Sequence, residues 1–338
     1  MTGGNYKYKV VITDHRHPKI IQIEKNILDK AGAEVVDCQC NDEDEIIAQA
    51  HDADGIINTR SKMTRRVIEG LKKCKVIVRH GIGVDTVDLE AATEHGILVA
   101  NVPDYCIEEV ATHALALILA CARKVVIGHE GVKSGRWDLN LVKPIFRMAG
   151  QKVALLGFGR IARSLTKKVL ALGCEVLVFD PYLTEEAVRE EGGRKVDWES
   201  FFKEADFLSI HAPLSKETRN LVSEKALQSM KPTAYVINTS RGEIIDEEAL
   251  VKALKLGWIA GAALDVVGKE PIEASNPLLL MGNVIFTPHI SFYSENAVQE
   301  LLRKTAQEVV RVLEGGLPRS VVNPKALEKF HAKTQKHT

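Results

Sequence analysis

Three short segments far apart in the chain carry polar groups that can do chemistry: Thr239-Ser240-Arg241-Gly242-Glu243-Ile244-Ile245-Asp246, Asp265-Val266-Val267-Gly268-Lys269-Glu270-Pro271 and Thr287-Pro288-His289-Ile290-Ser291. They follow a glycine-rich turn, Gly157-Phe158-Gly159-Arg160-Ile161-Ala162. Together these stretches offer a dinucleotide site, a fixed cation, a carboxylate and an imidazole. Such a set suits hydride transfer to a small 2-keto acid. A nicotinamide carries the hydride, a guanidinium holds the carboxylate and a carboxylate-paired histidine delivers the proton.

The glycine turn gains meaning from its flanks. An apolar run from Lys152 to Leu156 leads in, and a helical pattern through Leu170 leads out. Gly157 permits the tight turn, Gly159 lets backbone approach a pyrophosphate, and Ala162 lets the helix pack closely on the strand. The diphosphate then faces free amides at the helix N-terminus, where Arg160 can add a phosphate contact. The next strand, Glu175 to Phe179, ends at Asp180, about twenty residues beyond the turn. A carboxylate there accepts both ribose hydroxyls and repels a 2'-phosphate, which favours NAD over NADP.

The remaining groups also sit at strand ends. Tyr235 to Asn238 reads as a buried strand that delivers Thr239, Ser240 and Arg241 to the edge where open parallel sheets bind ligands. An arginine there can hold a carboxylate bidentately and polarise the adjacent carbonyl. Asp265 ends the run Gly261 to Leu264, Glu270 follows on a short loop before Pro271, and His289 follows the run Val284 to Thr287. A carboxylate beside an imidazole fixes its tautomer and favours its protonated form, keeping a proton ready for a developing alkoxide.

These ends need two sheets to hold them. Strand-like runs at Lys9–Thr13, Glu34–Cys38, Gly55–Asn58 and Val76–Arg79 alternate with helical patterns near Lys19–Ala31 and Glu43–His51. An apolar helix with an acidic first turn lies between Pro103 and Arg123, and reads as a bridge to a second alternation of six strands. The last strands precede one amphipathic helix, Glu295 to Leu313, which can return to the first domain; the polar, basic stretch Ala326–Thr338 is expected to fray. The fold class is α/β, with two doubly wound parallel sheets in series. The expected domains are residues 1–104 plus 290–338, for substrate, and 105–289, a Rossmann unit for NAD.

Bulk properties exclude other classes. With 338 residues, 45% of them hydrophobic, the chain can build two cores. Its 45 basic and 45 acidic residues leave a formal net charge of +0, so no whole-chain field attracts nucleic acid or anionic membrane. The six cysteines lack metal-binding spacing and read as reduced, buried thiols of a cytoplasmic protein; Cys38 and Cys40 share one strand face, but no second pair completes a zinc site. No metal is called for. The N-terminus lacks the apolar core of a signal peptide, and the apolar stretch Ala111–Ala122 falls well short of the roughly 20 residues a membrane span needs.

The chain resembles the NAD-dependent D-2-hydroxyacid dehydrogenases over about Lys9 to Pro324. The strings that carry the likeness are Val78-Arg79-His80-Gly81-Ile82-Gly83-Val84-Asp85, Gly157 to Ala162, His211-Ala212-Pro213-Leu214, Asn238 to Asp246, Asp265 to Pro271 and Pro288-His289. The resemblance implies that Arg241 binds the substrate carboxylate, that Glu270 pairs with the imidazole and that His289 is the acid–base residue. It implies NAD contacts from Arg160, Ile161, Asp180, Thr239, Ser240 and Asp265, with the segment His211, Ala212 and Pro213 and the catalytic Arg241 and His289 also beside the cofactor. The loop from Arg79 through Gly81, Ile82 and Gly83 to Val84 closes the substrate side. A flavodoxin-like and a Rossmann domain with the active site in the cleft between them, and a homodimer formed through the Rossmann domain, are further implications.

Pro288 to Glu295, Val76 to Arg79 and Val102 to Glu109 look nearest to the C-terminal-binding-protein branch and its bacterial enzyme relatives. Two residues depart from the pattern. Ile82 stands where many relatives carry a small or hydroxylated residue, and Phe292 replaces the corepressor tryptophan, so a preference for a bulky thioether keto acid does not carry over. The chain ends before the regulatory domains of many phosphoglycerate dehydrogenases would begin, which argues against serine feedback. His113 reads as a core or dimer-interface residue, and His80 either touches substrate or caps its loop. Arg60 can add a second cleft cation, which brings phosphorylated or dicarboxylate substrates, including 3-phosphoglycerate, into range. The expected reaction is the interconversion of a D-2-hydroxy acid and its keto acid, such as glyoxylate or hydroxypyruvate. The rival is an NAD(H)-sensing protein-binding module; formate or phosphite oxidation fits the Arg-Glu-His set less well.

Overall fold

Short runs of β-branched and aliphatic residues, bounded by turn residues, form parallel strands in both halves of the chain. The computed structural model describes residues 6–14, 21–40 and 42–334. They divide into two units, residues 1–105 with 294–338, and residues 106–293.

The first unit begins with β1 (Tyr8–Ile12), α1 (Gln22–Lys30), β2 (Ala33–Asp37), α2 (Glu43–Ala50), β3 (Gly55–Asn58), α3 (Arg65–Gly70), β4 (Val76–Arg79), α4 (Leu89–Glu94) and β5 (Leu98–Ala100). The strands pair in parallel in the order β2-β1-β3-β4-β5. Asp42, Thr64 and Asp88 start α2, α3 and α4 by accepting the amides of Glu45, Val67 and Ala91, which satisfies donors that no helix residue can reach. The α1 pattern expected from Lys19 begins at Gln22; Lys19 and Ile20 lie outside the described residues.

In the second unit α5 (Ile107–Arg123) and α6 (Val125–Lys133) precede β6 (Lys152–Leu156), α7 (Arg160–Leu170), β7 (Glu175–Phe179), α8 (Glu185–Glu190), β8 (Arg194–Lys195), α9 (Trp198–Glu204), β9 (Phe207–Ile210), α10 (Glu224–Ser229), β10 (Tyr235–Asn238), α11 (Glu247–Lys255), β11 (Gly261–Leu264) and β12 (Val284–Phe286). The sheet order is β12-β11-β10-β9-β6-β7-β8, seven strands where six were expected. The extra one, β8, is a two-residue polar edge strand with no hydrophobic alternation to betray it. Phe201, Phe202, Leu227 and Leu250 cover one face of this sheet, and Leu117, Ile118, Leu165 and Val169 the other.

The chain then re-enters the first unit. Ser294 caps α12 (Glu295–Leu313) by accepting the Ala297 amide at 2.9 Å. This helix buries Val298, Leu301, Leu302, Val309 and Val312 and packs against α1, β3 and β4. Val321 bridges to Ala100, and Asn323 Oδ1 accepts the Val99 amide at 2.8 Å. The expected fraying from Ala326 onward is corrected up to residue 334. There α13 (Leu327–Thr334) forms, because Ala326, Leu327 and Phe330 make an apolar stripe at helical spacing, and Ala326 and Phe330 are buried in the core. The final residues, 335–338, lie outside the described part.

The expectation of six reduced thiols is also corrected. Cys38 and Cys40 form a disulfide, because Gln39 at φ 50° brings their Cα atoms to 5.2 Å, within the range such a bond spans. Cys74, Cys106, Cys121 and Cys174 are buried and free. Among the described residues no single helix is long and apolar enough to cross a membrane; α5 and α6 meet that test only as a pair bent by 60°.

Candidate active site

All strands of the second unit run the same way, so their C-terminal ends make one edge. At β6 the chain turns through Gly157 at φ 85°. A Cβ on that glycine would lie 2.8 Å from the Ala212 amide nitrogen, so the close approach of the loop after β9 requires its absence. Asp180, just past β7, accepts the Phe158 amide at 2.9 Å and the Tyr182 amide at 3.0 Å. The carboxylate foreseen for a ribose thus also braces the glycine turn.

The residues present fit a dinucleotide. Gly159 caps α7 with no side-chain hydrogen bond, and a Cβ built there meets nothing within 4 Å among the described residues. Amides and space therefore coincide at the helix N-terminus, beside Arg160 and Ile161. The Thr239 hydroxyl is buried with no hydrogen-bond partner among the described residues, a cost that a bound polar group would offset. Ser240 donates to the Ala212 carbonyl at 2.6 Å, which ties the ends of β9 and β10 together next to Pro213. Burial pushes the His211 imidazole down to about 4. It is a neutral group, with Nε2 2.9 Å from Ser209 Oγ.

Arg241 is delivered by a buried asparagine that was read only as a strand end. Asn238 donates to the Arg241 carbonyl at 2.8 Å and accepts the Ser240 amide at 3.0 Å. Its side chain is wholly buried, and these two bonds satisfy it; nothing in the sequence marks that role. Arg241 Nη1 bonds the Ser240 carbonyl at 2.8 Å. Gly242 then passes so close to Val267 and Gly268 that a Cβ would overlap their peptide. The Arg241 turn and the loop leading to Glu270 are thereby locked together.

Register brings the rest alongside. Asn238 pairs with Leu264, and Leu264 with Phe286. Beyond those pairs the Asp265 amide bonds the Asn238 carbonyl at 2.9 Å, and the His289 amide bonds the Asp265 carbonyl at 2.8 Å. His289 sits at φ 53°, with Nδ1 2.7 Å from Glu270 Oε2. An ionised carboxylate only accepts, so Nδ1 carries the proton of this bond and Nε2 is left for a ligand. Phe292 meets the imidazole edge to face, with centroids 6.2 Å apart. Burial alone pushes the Asp265 carboxyl up, but bonds from Thr287, the Ile290 amide and Ser291 together hold it below the usual carboxylate range.

The first unit presents its own strand ends. Asp14 accepts the amides of Thr59, Arg60 and Ser61, which shapes that loop and leaves Arg60 exposed. His80 is buried, with Nε2 2.6 Å from Glu24 Oε1 and Nδ1 2.9 Å from Thr59 Oγ1. Of its two readings, the structure supports the loop-holding one. Arg79 turns its guanidinium over Gly81 onto the His80 carbonyl at 2.6 Å, and the Ile82 carbonyl accepts from Asn101 at 2.6 Å, with Gly83 next in the loop.

A family model described as D-isomer specific 2-hydroxyacid dehydrogenase, NAD binding domain, matches residues 115–291. The chain is 38% identical over 317 residues to the D-3-phosphoglycerate dehydrogenase of Methanocaldococcus jannaschii, an alignment covering 93% of this chain and 59% of that protein. It is 36% identical over 289 residues to the glyoxylate reductase of Thermococcus litoralis, covering 83% of this chain and 87% of that one. The crystal structure of the TT0316 protein from Thermus thermophilus matches with a TM-score of 0.81 at 33% identity, over 93% of this chain and 99% of that one. The chain thus spans little more than half the length of the phosphoglycerate dehydrogenase and most of the length of the glyoxylate reductase.

Proposed function

The chain belongs to the D-isomer specific 2-hydroxyacid dehydrogenases, and from that premise we propose that it reduces a small 2-keto acid to the D-2-hydroxy acid with NADH, and runs the reverse oxidation with NAD. The observation that carries this reading is the Glu270–His289 pair, at 2.7 Å, on the same sheet edge as Arg241. Bound NADH supplies the hydride to the keto carbon. The α7 N-terminus at Gly159 and Arg160 holds the diphosphate, and Asp180 the ribose, in preference to a 2'-phosphate. Thr239, Ser240, Asp265 and the segment His211 to Pro213 complete the cofactor's contacts.

Arg241 binds the substrate carboxylate and polarises the neighbouring carbonyl. As negative charge develops on the carbonyl oxygen, His289 gives it the proton on Nε2, and Glu270 holds the ring in place through Nδ1. In the oxidative direction the same nitrogen takes the proton back. Phe292 and the loops at Arg60 and Arg79 to Gly83 are the residues we assign to substrate selection. The names of the relatives point to glyoxylate and 3-phosphohydroxypyruvate as first candidates.

We also propose that the protein works as a homodimer formed through the NAD-binding unit. The dimer is supported by the apolar side chains of Val125, Val132, Trp137, Leu139 and Phe146, which are all exposed in one stretch of that unit, Trp137 by 90%. Sedimentation velocity reads the oligomeric state directly.

NADH absorbance with glyoxylate, hydroxypyruvate, pyruvate, 2-ketobutyrate, oxaloacetate and 3-phosphohydroxypyruvate tests the reaction. One or more should be reduced, and His289→Ala should lower turnover by about a thousandfold, the usual range for loss of a general acid, while NADH still binds. Undiminished turnover in that variant would refute the assignment; NADH binding without any turnover would favour a nucleotide-sensing module.

A further inference from the structure

A second imidazole meets a carboxylate beneath the catalytic turn. His113, on the half-buried flank of α5, has Nε2 3.0 Å from Thr287 Oγ1 and 3.7 Å from Asp265 Oδ1. The Thr287 hydroxyl donates to that same Asp265 oxygen at 2.6 Å. A hydroxyl has one proton to give. With that proton committed to Asp265, the contact between Thr287 and His113 needs the imidazole as donor, so Nε2 carries hydrogen.

The chain of bonds continues to both sides of His289. Asp265 Oδ1 also accepts the Ile290 amide at 2.9 Å, and Oδ2 accepts the Ser291 amide at 2.9 Å. The His289 amide is shared between the carbonyls of Asp265 and Thr287, at 2.8 and 3.0 Å. One buried carboxylate therefore grips the residue two before His289 and the two residues after it. His289 itself is held at φ 53°, a left-handed backbone that a histidine keeps only where its surroundings impose it.

We propose that His113 is a positioning residue: through Thr287 it orients the Asp265 carboxylate, and through that carboxylate the backbone that aims His289. This rests on the acid–base role assigned above to His289. Packing alone gives no reason for a nitrogen here, since the buried neighbours of position 113 on α5, Val110, Ala114 and Leu117, are all apolar. Removing the donor takes away the bond that fixes the Thr287 hydroxyl from the helix side, which lets the Thr287–Asp265 pair turn and loosens the turn without emptying the core.

Two variants and one spectroscopic measurement test this. His113→Leu keeps the volume and removes the donor; His113→Gln offers an amide hydrogen at the position of Nε2. For the reduced substrate, His113→Leu should lower kcat by about tenfold, the effect of one hydrogen bond of roughly 1.4 kcal/mol, with KM little changed, and His113→Gln should restore most of the loss. Thr287→Val, which cuts the same link, should add little to His113→Leu. An unaltered kcat in His113→Leu, or a Gln variant no better than the Leu variant, overturns the proposal. Nitrogen-15 NMR of the imidazoles decides it even without a substrate. Wild-type His113 should show a protonated Nε2, and the His289 ring signals should move in His113→Leu and return in His113→Gln. A bare Nε2 on His113, or His289 signals indifferent to both variants, overturns it. If the wild type reduces none of the keto acids, the assigned reaction fails, while these signals still test the positioning role.

Discussion

Acidification should destabilise the NAD-binding unit through His211, and His211→Gln should remove that part of the loss. Burial pushes the imidazole from 6.5 down to about 4. In the unfolded chain it titrates near the ordinary value. Below that value the unfolded state takes up a proton that the folded state refuses, so the stability present above pH 6.5 is lost as pH falls toward 4. Linkage between these two values gives a loss of about 2 kcal/mol at about pH 5, levelling off near 3 kcal/mol below about pH 4.

Gln at this position can still bond Ser209 but does not titrate. All three tryptophans, Trp137, Trp198 and Trp258, belong to the NAD-binding unit, so their fluorescence during urea unfolding reports on that unit alone. The gap in unfolding free energy between wild type and His211→Gln should shift by about 2 kcal/mol in favour of the variant between about pH 7.5 and about pH 5. Curves that fall in parallel would mean that the ring is protonated in the folded protein, and would remove the neutral His211 from the site's description.

Gly242→Ala should cost about 1–3 kcal/mol from overpacking against Val267, and should lower kcat by about a hundredfold by displacing Arg241; steady-state kinetics that match the wild type would contradict the interlock. Asp180→Ala should raise the ratio of kcat/KM with NADPH to that with NADH on the order of tenfold, by removing one like-charge contact. The same variant should weaken NADH binding, because the Phe158 and Tyr182 amides lose their acceptor; an unchanged ratio would remove Asp180 from the ribose site. Phe330→Ala should weaken the first unit by about 3–5 kcal/mol, seen as faster amide hydrogen exchange across β5; unchanged exchange would mean that α13 is not part of that core.

The sequence was most legible where a pattern had to repeat. The strands Gly55–Asn58, Val76–Arg79, Lys152–Leu156, Glu175–Phe179 and Tyr235–Asn238, and the helix Glu295–Leu313, have the bounds their apolar spacing predicts. Elements too short to show a period were missed: β5 has three residues, and β8 is a polar pair. Their existence depends on neighbouring strands rather than on their own residues. The groups expected to do chemistry were visible because strand ends in a parallel sheet share an edge. The residues that hold them, Asn238, Gly242, Thr287 and His113, were not, because their importance lies in contacts between segments far apart in sequence. His80 was ambiguous for the same reason. Its partners Glu24 and Thr59 come from other elements.

The bonds between Val99 and Asn323, and between Asn101 and Ser320, join residues 224 and 219 positions apart. Between them the chain makes the whole NAD-binding unit, residues 106–293. A ribosome making this chain therefore releases a finished nucleotide-binding fold while the first five strands still lack α12, the helix that covers β3 and β4. Until that helix emerges, Ile57, Val76 and Val78 lack the cover that Ala306, Val309 and Val312 bring to their cluster. The first unit to be synthesised is the last to be completed, and its exposed sheet is the stretch of nascent chain most in need of protection from aggregation.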